Sequence, residues 1–216
     1  MNKNKNVIAF YMQAAKLKNK IRTGWIEVDI KKERRESVAE HIYGCLILAI
    51  ALNSEYKLDL DMYKVLKMLT LHELEEILMG DLTIRSNITA DEKIKKGKKC
   101  VHEVVKGLMN AKEIEALLDE FNARITKEAL FCYHIDKIEC DLQAKTYDLE
   151  GAFSYEKAKE DLEFFGDRKK EIENKSKCAS DIWIEYDKPK YKDDNVFESL
   201  INEIQKIKEI KNGKDI

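Results

Sequence analysis

Residues 70–83 read TLHELEEILMGDLT, and the reading of this stretch decides the fold. Leu66, Met68, Leu69, Leu71, Leu74, Ile77, Leu78 and Met79 predict a helix that is apolar on nearly every side. Such a helix is buried. Yet it carries His72, Glu73 and Glu76, with Asp81 just beyond Gly80. Buried carboxylates are costly unless something positive compensates them. The stretch therefore predicts a helical core with a positive partner inside it, either lysines from elsewhere in the chain or a metal ion.

The rest of the chain agrees with a helical core. Among 216 residues there are eight glycines and one proline, and Lys, Glu, Leu and Ile dominate. Few helix breakers and many helix formers predict an all-α chain. Helices are expected at about 6–20, 37–53, 60–79, 90–109, 111–122, 126–148, 155–174 and 194–211. Ser37 and Glu40 in ESVAEH form an S-x-x-E capping box ahead of the apolar run from Ile42 to Leu52. Gly80 marks the end of the helix carrying His72. Residues 176–193, with Pro189, are expected to be irregular. Beyond them Phe197, Leu200, Ile201, Ile204 and Ile207 form an amphipathic stripe, suited either to a core or to a dimer seam. No linker or repeat divides the chain, so the expectation is one domain over 1–216 with an additional C-terminal helix.

Composition narrows the partners. A net charge of −2 gives no electrostatic reason to expect nucleic acid or an anionic membrane. No run approaches the ~20 apolar residues of a membrane span, and the opening MNKNKNVIAFYMQ lacks the long apolar run of a signal peptide. Five scattered cysteines without a CxxC pair suggest reduced thiols in a cytoplasmic protein, not a disulfide frame.

Two familiar metal patterns fail at His72. The zinc-protease word HExxH needs a second histidine four residues on, where Glu76 stands. Di-iron bundles need Glu-x-x-His, and none of the four histidines has a glutamate three residues before it. A third pattern does fit. It comprises His41 in ESVAEHIYG, His72 with Glu73 in LHELEEILMGD, and Asp136 in HIDKIECDLQAKTYD. Glu76 and Gly80-Asp81 follow the pair, and Arg22 and Trp25 in RTGW precede the first histidine. In this ordered set, from about residue 20 to about 150, the chain resembles the HD-domain superfamily of metal-dependent phosphohydrolases, and most closely its 5′-deoxynucleotidase branch. The departure is Glu73, which stands where the superfamily has aspartate.

The resemblance implies an HD-type helical domain whose motif-bearing core is followed by an extension over about 151–216. It implies His41, His72, Glu73 and Asp136 as ligands of one divalent transition metal: manganese, cobalt, nickel, iron or zinc. A second cation such as magnesium is a further expectation. Glu76 would orient or deprotonate the attacking water, and Arg22 would grip the phosphate. Asp81 would bind the sugar hydroxyl or the second cation, and Trp25 would pack near the sugar. The substrate would be a nucleoside 5′-monophosphate, deoxynucleotides favoured, and the assembly a homodimer. Another phosphate ester, or a helical regulatory module with a relic metal site, is the alternative.

Taken without the resemblance, several of these residues have plainer readings. His41 suits a core histidine bonded to a backbone carbonyl, Arg22 a surface arginine, Trp25 an anchor under a loop, and Asp81 a turn residue. The apolar face formed by Phe131, Ile135, Ile138 and Leu142 lies about 100° from Asp136, which periodicity alone assigns to solvent. His102, after the basic run KIKKGKKC, and His134, two residues before Asp136, are further candidate ligands for a second metal.

Overall fold

A computed structural model describes residues 2–209, and these are all-α. Among them the sole β-type pairing is an isolated antiparallel bridge between Ile21 and Ser37. The chain forms two compact units. The first comprises the chain up to Thr23 together with Glu36–Asp136, and the second Gly24–Arg35 together with the chain from Lys137.

In the first unit, α1 (Lys3–Ala14) starts at Asn2, whose side chain accepts from the Asn4 and Lys5 amides. A short α2 (Thr23–Glu27), absent from the sequence-based helices, begins at the unit's edge. The capping box at Ser37 is present as expected: its side chain accepts from the Glu40 amide, and the Glu40 carboxylate accepts from the Ser37 amide. It starts α3 (Val38–Tyr56), which buries Val38, His41, Cys45, Ala49 and Leu52. Next come α4 (Met62–Leu71) and the one-turn α5 (Glu76–Met79), then α6 (Ala90–Val105) and α7 (Ala111–Ala123). Leu17, Val38, Leu74, Ile77, Val101, Val104, Val105 and Leu118 close a common core, to which the stretch just after His72 contributes Leu74 and Ile77.

The helix expected over 60–79 is not continuous. It ends at Leu71, and residues 72–75 form a turn before α5. His72 itself supplies the cause. Its Nδ1 bonds the Leu69 carbonyl at 2.6 Å, the same carbonyl that a regular helix would offer to the Glu73 amide. The chain then tightens, with Leu74 N–H donating to Leu71 O and Glu76 N–H to Glu73 O. Gly80 ends α5 as expected, at φ +88°, a conformation that suits glycine.

The long α8 (Lys127–Leu149) carries Asp136, and no residue from Phe131 to Leu149 is exposed. Burial all around the helix removes the contrast on which the periodicity of this segment rested.

In the second unit the helix expected over 155–174 is broken into α9 (Tyr155–Lys159), two 3-10 turns and α10 (Lys169–Lys175), with Gly166 at φ +55° between them. The expectation of irregular structure over 176–193 is corrected. Residues Ala179–Asp187 form α11, a buried helix carrying Ile182, Ile184 and Trp183. Its neighbours Lys, Ser and Pro read as loop, and its buried acids hide the apolar stripe. α12 (Asn195–Lys206) buries Phe197, Ile201 and Ile204 within this unit. The expected continuation of that helix to 211 lies partly outside the described residues.

Candidate metal centre

Three elements of the first unit bring four donors together. α3 contributes His41, the turn after α4 contributes His72 and Glu73, and α8 contributes Asp136. One ligand atom from each lies within 4.8 Å of all the others, and all four residues are buried. His41 Nε2 stands 3.2 Å from Asp136 Oδ1 and 3.5 Å from Glu73 Oε1. His72 Nε2 stands 3.4 Å from Glu73 Oε1 and 3.9 Å from Asp136 Oδ1.

These donors fit a divalent cation on two independent observations. First, two donors each ~2.1 Å from one ion at a tetrahedral angle lie about 3.4 Å apart. The spacings within the cluster bracket that value. Second, a carbonyl can only accept, so Nδ1 of His72 carries the proton it donates to Leu69. In the neutral ring, Nε2 then presents its lone pair to the cluster. That buried Nε2 has no hydrogen-bond partner, and neither does Oε2 of Glu76. Burial pushes the His72 imidazole down, keeping it neutral as a ligand requires. Burial opposes ionisation of Glu73, but neighbouring positive charge, of which the Arg22 guanidinium is the permanent source, outweighs it and holds the pKa at about 2.

Arg22 and Thr23, which end the first unit's N-terminal part, are fastened beside this cluster. Arg22 N–H donates to Glu36 O and Val38 N–H to Lys20 O, on either side of the Ile21–Ser37 bridge. The Arg22 guanidinium then lies 3.2 Å from Glu73 Oε1 and 3.6 Å from Asp81 Oδ2. The same Asp81 oxygen accepts from the Thr23 amide at 2.6 Å. Lys20, which the sequence reading passed over, donates through Nζ to the Glu76 carbonyl. Its position two residues before Arg22 was the available signal. Glu76 is 2% exposed, and burial followed by the negative charge of Glu73 and Asp81 pushes its carboxyl up to about 11.

The remaining candidates are not among these four donors. Trp25 belongs to the second unit, 2% exposed, stacked on Trp183 with centroids 4.8 Å apart and edge-on to Tyr147. His102 is exposed and pairs with Glu115 at 2.9 Å. His134 is buried, but no described donor group includes it. A donor the sequence reading did not name is Cys45, one turn after His41, with Sγ 3.6 Å from His41 Nε2.

The HD-domain family pattern matches residues 14–183. The chain is 33% identical over 150 residues to 5′-deoxynucleotidase HDDC2 of Dictyostelium discoideum, covering 66% of this chain and 78% of that one. It is 32% identical to the Xenopus laevis protein of the same name, covering 67% and 70%. A Pyrococcus horikoshii crystal structure superposes with a TM-score of 0.66 at 22% identity, covering 91% of this chain and 97% of that one. The structure of a predicted metal-dependent phosphohydrolase from Magnetospirillum magnetotacticum gives 0.59 at 20% identity, covering 95% and 98%. At those identities the two structures speak to the fold. The chain belongs to the HD-domain family.

Proposed function

We propose that this chain is a divalent-metal-dependent phosphohydrolase that removes phosphate from nucleoside 5′-monophosphates, deoxynucleotides favoured. The observation that carries this reading is the convergence of His41, His72, Glu73 and Asp136 on one buried point, with Arg22 alongside. The names of the Dictyostelium and Xenopus relatives support the substrate class.

His41, His72, Glu73 and Asp136 would hold the ion. Their nitrogen and oxygen donors suit manganese, cobalt, nickel, iron or zinc. When bound, the ion polarises the phosphoryl oxygen and acidifies water. Glutamate in place of aspartate serves because the turn at 72–75 brings its longer side chain to both imidazoles.

Arg22 meets the phosphate with a planar fork matched to its oxygens, and in the absence of substrate it rests on Glu73 and Asp81. Asp81 holds the Arg22–Thr23 backbone and leaves its second oxygen for a sugar hydroxyl or a second cation such as magnesium. Glu76 takes the proton of the attacking water. With a pKa of about 11 it holds a proton itself, and positive charge at the neighbouring donors would return it toward a base. A ring 2% exposed offers a sugar little surface, so Trp25 is read as the anchor of α2. The exposed stripe Tyr43, Ile47 and Ile50 on α3 supports a homodimer, and the reduced cysteines a cytoplasmic setting.

The test is phosphate release from 5′-deoxynucleotides, 5′-ribonucleotides and 3′-nucleotides, using protein stripped and reloaded with each metal, with Glu73→Ala alongside. Metal-dependent release from 5′-monophosphates that disappears in the variant is expected. No release with any metal, from folded protein, overturns the reading.

A further inference from the structure

We propose that Cys45 is a metal ligand. It would give the centre a second donor set, His41–Cys45–His72, that takes a thiophilic divalent cation such as zinc. This inference rests on the reading of the cluster as a metal centre and concerns which cation it selects.

The geometry begins in α3. Cys45 is the fourth residue after His41, one helical turn on, so both side chains leave the same face of the helix. Cys45 is fully buried, and its Sγ stands 3.6 Å from His41 Nε2. A sulfur donor ~2.3 Å and a nitrogen donor ~2.1 Å from one tetrahedral ion lie about 3.6 Å apart. The sulfur and the two imidazoles offer ligand atoms all within 4.8 Å of one another.

A buried thiol beside a histidine is by itself a small core residue. The independent pointer is His72, 3% exposed, whose Nε2 lacks a hydrogen-bond partner while Nδ1 is engaged by Leu69. That orphaned nitrogen belongs to both donor sets. They share the imidazoles and differ in what completes them. Glu73 and Asp136 are hard oxygen donors, suited to manganese, while a thiolate is soft and favours zinc. On binding, the Sγ–H proton passes to solvent as the sulfur–metal bond forms, with no change of oxidation state. Cys45 thus acts in cation selection and leaves the phosphate-gripping Arg22 untouched.

The experiment loads metal-stripped full-length protein with cobalt(II) and records its absorption. Zinc and manganese affinities are then measured by competition. The expected result is a thiolate-to-cobalt charge-transfer band in the near ultraviolet that Cys45→Ser abolishes. Cys132→Ala, which removes the buried thiol whose charge would interact with Cys45, should keep the band. Zinc affinity should fall in Cys45→Ser by roughly 10- to 100-fold, the scale set even by residues that merely support a ligand, while manganese affinity holds. Cobalt binding by the unsubstituted protein without the band overturns the role of Cys45 and leaves the metal centre intact. So does a band lost in Cys132→Ala but kept in Cys45→Ser. Failure of the unsubstituted, folded protein to bind cobalt, manganese or zinc overturns the metal reading itself.

Discussion

Each of the two units buries a cluster of acids, and the two clusters are resolved in opposite ways. In the second unit Asp141, Asp187 and Glu185 are met by partners of the same unit. Tyr191 O–H donates to Asp141 at 3.1 Å, Lys190 pairs with Asp187, and the Gln205 amide donates to Glu185 at 3.0 Å. In the first unit Glu73 and Asp136 converge with two imidazoles, and His72 Nε2 and Glu76 Oε2 are left without hydrogen bonds. Buried polar groups in a purely structural network are satisfied by the protein. A buried imidazole nitrogen that faces such a gathering of donors and stays without a hydrogen bond, as His72 Nε2 does, points to a ligand from outside the chain. The contrast is between these two clusters and not between whole units, since Asp181 Oδ1 of the second unit is also buried without a hydrogen bond.

The sharpest way to break this contrast is His72→Ala. If the first cluster is a metal centre, metal retention and phosphate release should both fall by more than the roughly 10- to 100-fold typical of residues behind a ligand. Metal analysis of the purified variant checks it. Glu76→Gln comes next: the rate should drop about 10²- to 10⁴-fold, as for loss of a general base, with metal content unchanged.

A pH experiment sharpens the same comparison. In metal-stripped protein the Glu76 carboxyl has a folded pKa of about 11, well above its unfolded value of 4.5. The folded state therefore binds the proton more tightly, and its advantage is complete below pH 4.5. It is lost progressively as pH rises toward 11. Thermal unfolding of stripped protein should show the melting temperature falling from pH 5 to pH 9, with the slope reduced in Glu76→Gln. A slope unchanged by the substitution would mean another group carries it.

In the second unit the expected signature is stability without activity. Tyr191→Phe removes the hydroxyl that Asp141 accepts from and should cost about 1–3 kcal/mol in denaturant unfolding. Turnover per folded molecule should be unaltered. The smallest effect is expected at Ser37→Ala, which deletes the cap of α3 and should cost about 1 kcal/mol.

Much of this molecule was readable from local chemistry. Few glycines and one proline specified helices, Ser37 and Glu40 specified where α3 starts, and Gly80 where α5 stops. These are short-range effects, set by hydrogen bonds between residues three or four apart. The ordered words around His41, His72 and Asp136 were legible as a family resemblance, and the fold and the family bear it out.

Other features depended on contacts between residues distant in the chain. Periodicity assigned Asp136 to solvent, because a helix buried on every side has no apolar face to count from; its 6% exposure follows from packing around α8. Continuity of the helix through His72 was the natural reading of its apolar pattern, and a single side-chain bond to Leu69 undid it. α11 was hidden because its acids read as solvent-facing, whereas Glu185 is buried and finds a partner 20 residues away in the Gln205 amide. Hydrophobic pattern and caps determine which segments are helical and where they begin. Which polar atoms are satisfied, and which are left facing one another, is decided only when segments far apart in sequence close on the same point.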